Sequence, residues 1–242
     1  MVHGAPDNYQ VQKKATTFRL DDMAELAVRL GSPSSIDRLG EVIFFDDFTN
    51  DLGNWVSLLS GVGASIVLSG DYFKSAGFSC KLTAGSTLAK SANIKTTQSY
   101  LSASKIGLEI SFNIDSNVNM VYLYATYYTP TIYYLLRIIL HVVEEKLYLY
   151  NSVGVLTEIA SNLSLTLNEK HFYTIKVVGN LITSDYIRLR FNGISYDISA
   201  HSMQAISGDW TPSLKVEITV YSAGATNGVC YLDNIIITQN EP

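Results

Sequence analysis

Tyrosine is the residue type best placed to do chemistry in this 242-residue chain, which contains 16 of them. Two short runs, Tyr122-Leu123-Tyr124 and Tyr148-Leu149-Tyr150, carry tyrosines two residues apart. Because side chains alternate between the two faces of a β-strand, each run presents an aromatic pair on one face and a leucine on the other. Aromatic rings stack on the apolar C–H faces of sugars, and phenol hydroxyls suit sugar hydroxyls. The four tyrosines are therefore candidate glycan-binding residues.

The same tyrosines have two further interpretations. Tyrosine is a favoured strand former, and cross-strand aromatic pairs stabilise a sheet by about 0.2 to 1 kcal/mol each without any ligand. Tyrosine is also enriched at subunit interfaces. Trp55 and Trp210 each stand beside a turn and are open to the same interpretations. We include Trp55 among the candidate ligand-binding or interface residues.

Acidic and histidine residues do not form a catalytic pattern. Glycoside hydrolysis needs two carboxyl groups about 5 to 9.5 Å apart, and no Glu-x-Asp or Glu-x-Glu pair occurs in the sequence. Glu144 and Glu145 are adjacent in a predicted hairpin turn and would point to opposite faces. The four histidines are far apart, and no Gly-x-Ser-x-Gly segment supports a serine nucleophile. We therefore predict a non-enzymatic protein.

Strand-like alternation governs the chain from Glu41 onward. In residues 106–114 the apolar side chains point one way, whereas Glu109, Ser111 and Asn113 point the other way and are predicted to face solvent. Asn192-Gly193 between two such runs predicts a two-residue hairpin. Gly, Asn, Asp and Ser separate the segments, which is typical of an all-β, two-sheet antiparallel sandwich. The predicted strands are 41–46, 64–69, 78–83, 105–114, 119–127, 132–142, 146–151, 172–178, 186–191, 194–198, 214–220 and 229–238.

The first 40 residues follow different rules. Residues 1–20 show no sustained period and are predicted to be extended. The segment Asp22–Glu25 resembles a capping box and predicts a short helix at about residues 22–31. Its apolar stripe would have to dock on the protein's own sandwich or on a neighbouring subunit, because so short a helix is marginal alone. The stripe consists of Met23, Leu26, Ala27 and Leu30. We predict an N-terminal arm, residues 1–40, and a β-sandwich domain, residues 41–242.

Composition narrows the classes of partner. The formal net charge of -5 and the pI near 5.3 argue against nucleic acid. The start Met1–Pro6 has neither a basic nor an apolar signal region, so we expect synthesis in a cytoplasm without a signal peptide. The longest apolar run, 135–143, contains Arg137 and His141 and is shorter than the ~20 residues of a spanning helix, so we expect no membrane anchor.

Cysteine occurs twice, at Cys80 and Cys230. Two residues make neither a disulfide framework nor a zinc site. Both lie in predicted strands and are expected to be buried thiols, although they could pair if their strands are neighbours in one sheet.

Three short motifs carry a resemblance to a known class of fold. They are Phe44-Phe45-Asp46-Asp47-Phe48 with Trp55 soon after, residues 75–82, and Tyr231-Leu232-Asp233-Asn234-Ile235. Together they resemble the jelly-roll carbohydrate-binding modules and lectin-like sandwiches over about residues 41–238. The resemblance implies that the first and last strands lie side by side.

The same resemblance implies a structural calcium ion held by an acidic residue from each of those strands. The matching residues are Asp47 and Asp233, with Asp46 as an alternate. Calcium takes six to eight oxygens, which two carboxylates and carbonyls could supply. The alternative is that these are solvated aspartates at strand ends. No other cofactor is required.

The arm has no place in a stand-alone sugar-binding module. Its combination with a jelly-roll resembles the structural or decoration proteins of tailed phages and related viruses, which implies a trimer or ring. We therefore predict a virion structural protein, a capsid decoration or tail component at the virion surface, that assembles with itself and with other virion proteins and touches surface glycans. The alternative is an extracellular carbohydrate-binding module.

Overall fold

The computed structural model describes residues 39–75, 77–99 and 103–242. In its strands, apolar and polar residues that alternate in the sequence tend to alternate between buried and more exposed positions. These residues form strands and connections without a helix. The predicted N-terminal helix, with Met23, Leu26, Ala27 and Leu30, lies outside the described residues. The strands are β1 (Glu41–Asp46), β2 (Val56–Leu59), β3 (Ser65–Ser69), β4 (Ser79–Thr83), β5 (Ser91–Gln98), β6 (Lys105–Ile114), β7 (Val118–Tyr128), β8 (Ile132–His141), β9 (Lys146–Tyr150), β10 (Leu156–Ala160), β11 (Tyr173–Asn180), β12 (Asp185–Phe191), β13 (Ile194–Asp197), β14 (Gln204–Ser207), β15 (Ser213–Ser222) and β16 (Val229–Gln239).

Two antiparallel sheets contain the sixteen strands of the described residues. Sheet A has the order β13-β12-β11-β6-β16-β4-β3, with β1 also paired to β16. Sheet B has the order β10-β9-β8-β7-β15-β5-β2, with β14 also paired to β8. The predicted all-β sandwich is confirmed.

The last strand has three partners. One edge of β16 pairs with β6, whereas its other edge pairs with β4 along residues 229–232 and with β1 along residues 235–239. The register against β6 shifts between Asp233 and Ile236, and Asn234 has a φ of 50°. A bulge explains the change, because the extra residue bends the strand where its partner switches from β4 to β1, and asparagine tolerates a positive φ. The predicted adjacency of the first and last strands is confirmed.

Inward-facing residues of both sheets form one core. In sheet B they include Val121, Leu123, Ala125 and Tyr127 of β7 and Leu214, Val216, Ile218 and Val220 of β15, all of them buried. Each set follows the two-residue period of a strand. The residues between them on β7 and β15 therefore lie on the outer face of sheet B.

The outer face of sheet A differs from its prediction. Glu109, Ser111 and Asn113 were expected to face solvent, yet all three are buried. Lys74, from the connection between β3 and β4, donates to the Ser111 hydroxyl at 2.8 Å and to the Thr174 hydroxyl at 3.0 Å. Asn113 donates to two backbone carbonyls that precede β11. The two-residue alternation of a strand assigns each residue to one face of the sheet, but it does not show whether a loop covers that face.

The connection at Asn192-Gly193 is the predicted hairpin. Phe191 lies opposite Ile194, and the two loop residues have φ values of 47° and 87°. Two successive positive φ angles are the mark of the turn type that asparagine and glycine favour.

Cys80 and Cys230 lie on the neighbouring strands β4 and β16, and both are free and buried. Cys80 is opposite Leu232 and Cys230 is opposite Leu82, so the two cysteines are offset by two residues. Burial raises the pKa of both thiols, which keeps them protonated and unreactive. The expectation of two buried thiols is met.

Candidate functional site

The outer face of sheet B presents the predicted tyrosines. Leu123 and Leu149 are fully buried, so the alternation of strands β7 and β9 turns the flanking tyrosines outward. Tyr122, Tyr124, Tyr148 and Tyr150 thus share one face. The face prediction from the two Tyr-Leu-Tyr runs is met in this structure.

Strand β8 lies between these two tyrosine strands and decides which rings meet. Arg137 is opposite Tyr124, and its guanidinium carbon lies 5.2 Å from the ring centroids of both Tyr124 and Tyr150. Such distances are within the range of cation–π attraction. Ile139 instead lies opposite both Tyr122 and Tyr148. The structure therefore joins Tyr124 to Tyr150 through an arginine and keeps Tyr122 apart from Tyr148.

A second aromatic cluster stands further along β7. Tyr128 is opposite Tyr133, with ring centroids 5.3 Å apart, and the Trp210 ring lies 5.5 Å from the first and 5.0 Å from the second. Trp210 keeps 38% of its surface exposed. We call Tyr128, Tyr133 and Trp210 the aromatic cluster.

Backbone hydrogen bonds position Trp210. The amides of Gly208 and Trp210 donate to the carbonyls of Thr131 and Pro130, at 2.9 and 3.2 Å. This fastens the loop after β14 to the turn between β7 and β8. A Cβ atom on Gly208 would lie 2.4 Å from the indole Nε1, so the indole rests where only glycine leaves room.

Between the aromatic cluster and Arg137 the sheet surface forms a groove of about 330 Å³. Its buried floor includes Leu135. Lys215 and Glu217 form an ion pair of 3.2 Å in its wall, and Asn93 donates to the Glu217 carboxylate at 2.8 Å. The groove is lined by Tyr124, Thr126, Tyr128, Tyr133, Leu135, Arg137, Trp210, Lys215, Glu217, Thr219 and Tyr221.

The phenols in and beside the groove are kept neutral. Burial raises the pKa of Tyr122, Tyr124 and Tyr221 above that of a free tyrosine. Their hydroxyls therefore stay protonated throughout the physiological range. Neutral hydroxyls can both donate and accept hydrogen bonds, as sugar hydroxyls do.

Trp55 does not belong to this surface, and its prediction as a ligand-binding residue is corrected. Only 7% of Trp55 is exposed, its ring packs edge-on to Phe44 at 5.8 Å, and its indole donates to Asp46 at 2.9 Å. It is a core residue near β1. The turn beside it brings the indole inward.

Tyr148 lies outside the groove lining, although it shares the face. Its hydroxyl donates to the carboxylate of Glu144 at 2.8 Å, in the turn before β9. That hydrogen bond raises the pKa of Tyr148.

Most residues of the groove were not predicted from the sequence. Tyr128 has the same parity as Tyr122 and Tyr124, so extending the period along β7 would have found it. Trp210 was considered beside Trp55, but nothing in the sequence separates a buried indole from an exposed one. The register between neighbouring strands places Tyr133, Arg137 and Tyr221 in the groove. No sequence pattern predicts that register.

The candidate calcium ligands are engaged by hydrogen-bond donors. Asp233 is fully buried and accepts from the amides of Lys74 and Ser75 at 2.7 and 3.0 Å and from the Ser75 hydroxyl at 3.2 Å. Burial raises the pKa of the Asp233 carboxyl, so burial disfavours the ionised form that a cation would need. Asp47 accepts from the Thr49 amide at 3.1 Å.

Calcium requires six to eight oxygen ligands that point their lone pairs at the ion. Around Asp233 the neighbours instead point N–H and O–H groups at the carboxylate. Across the described residues no group of three or more acidic, histidine or cysteine side chains forms a metal site. The donors around Asp233 do not fit a calcium ion, whereas a calcium ion held by Asp47 or Asp46 with backbone carbonyls stays a prediction from the sequence, and we derive no role for one.

Comparison with solved structures identifies the fold. The endo-β-1,4-glucuronan lyase of the fungus Trichoderma reesei superposes with a TM-score of 0.56 at 10% identity, over 82% of this chain and 95% of that one. The potassium-bound carbohydrate recognition domain of Emp46p superposes with a TM-score of 0.50 at 10% identity, over 86% and 97%. At 10% identity the likeness is one of fold, and the jelly-roll β-sandwich that the sequence motifs indicated is confirmed.

No protein-family model and no curated protein matches the sequence. In the described part of the chain, no helix is long and apolar enough to cross a membrane.

Proposed function

We propose that this protein binds carbohydrate in the groove on the outer face of sheet B. The observation that carries the proposal is the groove itself, in which the aromatic cluster lies beside a small set of polar side chains. Aromatic rings offer apolar platforms for the C–H faces of sugar rings, and the polar groups fix the orientation of the hydroxyls. The volume of about 330 Å³ falls within the usual range of small-ligand sites.

Binding without turnover agrees better with the groove than catalysis does. Glu217 is the one carboxylate among the described residues that line it, whereas glycoside hydrolysis uses two carboxyl groups. Removal of a proton by tyrosine would need a lowered pKa, and burial raises the pKa of Tyr124 and Tyr221. Neither chemistry is supported by these residues.

The test begins with a glycan array probed with the full chain, followed by calorimetric titration of the best ligand. We expect Tyr128→Ala and Trp210→Ala each to weaken binding by about tenfold. An aromatic contact contributes about 0.5 to 1.5 kcal/mol beyond the area that it buries, and 1.4 kcal/mol corresponds to a factor of ten.

Phe73→Ala is the matched control, because Phe73 is 48% exposed and does not line the groove. It should leave affinity unchanged. If the array shows no ligand, or if the groove variants bind as tightly as Phe73→Ala does, the groove is not the carbohydrate site. Release of shortened or unsaturated sugar during the titration would instead indicate an enzyme.

A virion structural role, as a capsid decoration or tail component, stays a prediction from the sequence. The arm and the helix stripe on which it depends lie outside the described residues. Homo-oligomers, other virion proteins as partners and a place at the virion surface are predictions of the same kind. Glycan binding by sheet B and assembly through the arm would use different residues, so both functions could belong to one protein.

A further inference from the structure

We infer that the groove recognises an acidic sugar, and that Arg137 binds the carboxylate of that sugar. This inference rests on the proposed function and narrows its ligand to glycans that carry uronic-acid or similar carboxylated residues. The charged side chains of the groove differ in whether they are already paired.

Arg137 contributes a positive charge that no carboxylate of the described residues pairs with. The other two charged residues of the lining, Lys215 and Glu217, pair with each other at 3.2 Å, and Glu217 accepts a second hydrogen bond from Asn93. The lining therefore carries one surplus positive charge in a chain whose formal net charge is -5. A local charge opposite to that of the whole chain favours an anionic ligand at this place.

The guanidinium of Arg137 also lacks a hydrogen-bond acceptor at a buried position. Its Nε is buried and has no partner among the described residues. Burying such a donor without an acceptor is unfavourable. Because Arg137 also lines the groove, its guanidinium is placed to meet an acceptor that arrives with the ligand.

Two tyrosine rings hold the guanidinium in place. The guanidinium carbon lies 5.2 Å from the ring centroids of both Tyr124 and Tyr150. A flanked arginine loses little side-chain freedom when it binds, and its planar fork matches the two oxygens of a carboxylate. Lysine would lack that fork, so the residue type matters as well as the charge.

The aromatic cluster indicates that the anion belongs to a sugar. A free carboxylate or inorganic ion would use Arg137 alone and would gain nothing from Tyr128, Tyr133 and Trp210. A ligand that spans the groove can stack a ring on this cluster and reach the guanidinium with a carboxylate. An acidic oligosaccharide has both features.

The experiment compares two ligands that differ in charge and share their rings. Oligogalacturonide and its fully methyl-esterified form are titrated into the full chain at low and at physiological salt, together with neutral oligosaccharides and sodium acetate as reference ligands. We expect the acidic form to bind at least tenfold more tightly than the ester, with a preference that weakens as salt is added. Acetate should not bind measurably.

Variants test the residue. Arg137→Gln should abolish the preference for the acidic form, so that the acid and the ester bind this variant with affinities within about twofold of each other. Arg137→Lys should restore only part of the preference. Lys170→Gln removes the same charge from an exposed site outside the groove lining and should change neither affinity. The unfolding temperature of each variant, measured by circular dichroism, shows whether the fold is intact.

The outcomes separate the inference from the proposed function. Equal binding of the acid and the ester, lost in Trp210→Ala, overturns the role of Arg137 and keeps carbohydrate binding. A preference for acid that survives in Arg137→Gln also overturns it. Tight binding of acetate shows an anion site without sugar recognition. No binding of any oligosaccharide refutes both proposals.

Discussion

At the scale of single residues, one glycine and one arginine shape the groove. Gly208 leaves room for the Trp210 indole, and Arg137 lies where two tyrosine rings can flank it. Neither residue belongs to a pattern that can be recognised in the sequence. What each one does follows from its neighbours across the sheet.

Gly208→Ala tests this dependence without removing an aromatic ring. The new Cβ would collide with the indole Nε1, so the indole must shift from its present position against Tyr133 and Tyr128. We expect carbohydrate affinity to fall by several-fold, while the unfolding temperature stays nearly constant because Trp210 is partly exposed. Calorimetry and tryptophan fluorescence measure the two effects.

Gly224→Ala is the control for the glycine substitution, since an added Cβ there meets nothing within 4 Å. It should leave both the affinity and the fluorescence unchanged. Wild-type affinity in Gly208→Ala would mean that the position of the indole is unimportant for binding.

At the scale of elements, β16 organises sheet A, and its end is held by a buried ion cluster. Glu241 is fully buried at its side chain and accepts from Lys176 on β11 at 2.7 Å and from Arg188 on β12. Thr238 donates to the same carboxylate. The cluster thus joins the segment after β16 to two other strands of the sheet.

Glu241→Ala should destabilise the fold strongly. The substitution takes a carboxylate from Lys176, which is only 1% exposed, and breaking one partner of a buried ion pair costs about 3 to 5 kcal/mol. Urea unfolding followed by circular dichroism gives the free energy of unfolding.

Glu158→Ala is the matched comparison, because it removes a surface ion pair of 2.9 Å with Lys146. An exposed pair contributes little to stability because solvent screens it, so this variant should unfold almost as the wild type does. If both variants lose the same small amount, the buried cluster does not hold the end of β16.

At the scale of the whole molecule, the described residues contain a two-sheet sandwich. Its sixteen strands lie between residues 41 and 239. We propose that assembly depends on the arm and that folding depends on the sandwich. The oligomer predicted from the sequence can be tested on the intact chain.

Light scattering of the full chain should give a trimer or a ring. Leu26→Glu with Leu30→Glu places two charges on the predicted apolar stripe and should yield a monomer with an unchanged unfolding temperature. Arg29→Glu, which lies off the stripe of the predicted helix, should keep the oligomer. A monomeric full chain would contradict assembly through the arm.

The sequence by itself determined the class of fold and most of its strands. Period-two alternation is a local property, so strands such as β6, β7 and β16 were predicted close to their observed bounds. Strands β2, β5, β10 and β14 were missed. β5, Ser91–Gln98, is largely polar and carries few large apolar side chains, yet it lies between β15 and β2. Its pairing comes from its neighbours and not from its own pattern.

For the candidate site too, the sequence predicted one part and only the tertiary structure decided the rest. Alternation assigned Tyr122, Tyr124, Tyr148 and Tyr150 to one face, because the face of a strand residue depends only on its parity. Only the tertiary structure decided that Arg137 stands between Tyr124 and Tyr150, that Trp210 is exposed and that Trp55 is buried. Register between strands and the path of loops depend on contacts between residues far apart in the chain, and the period of one strand does not contain that information.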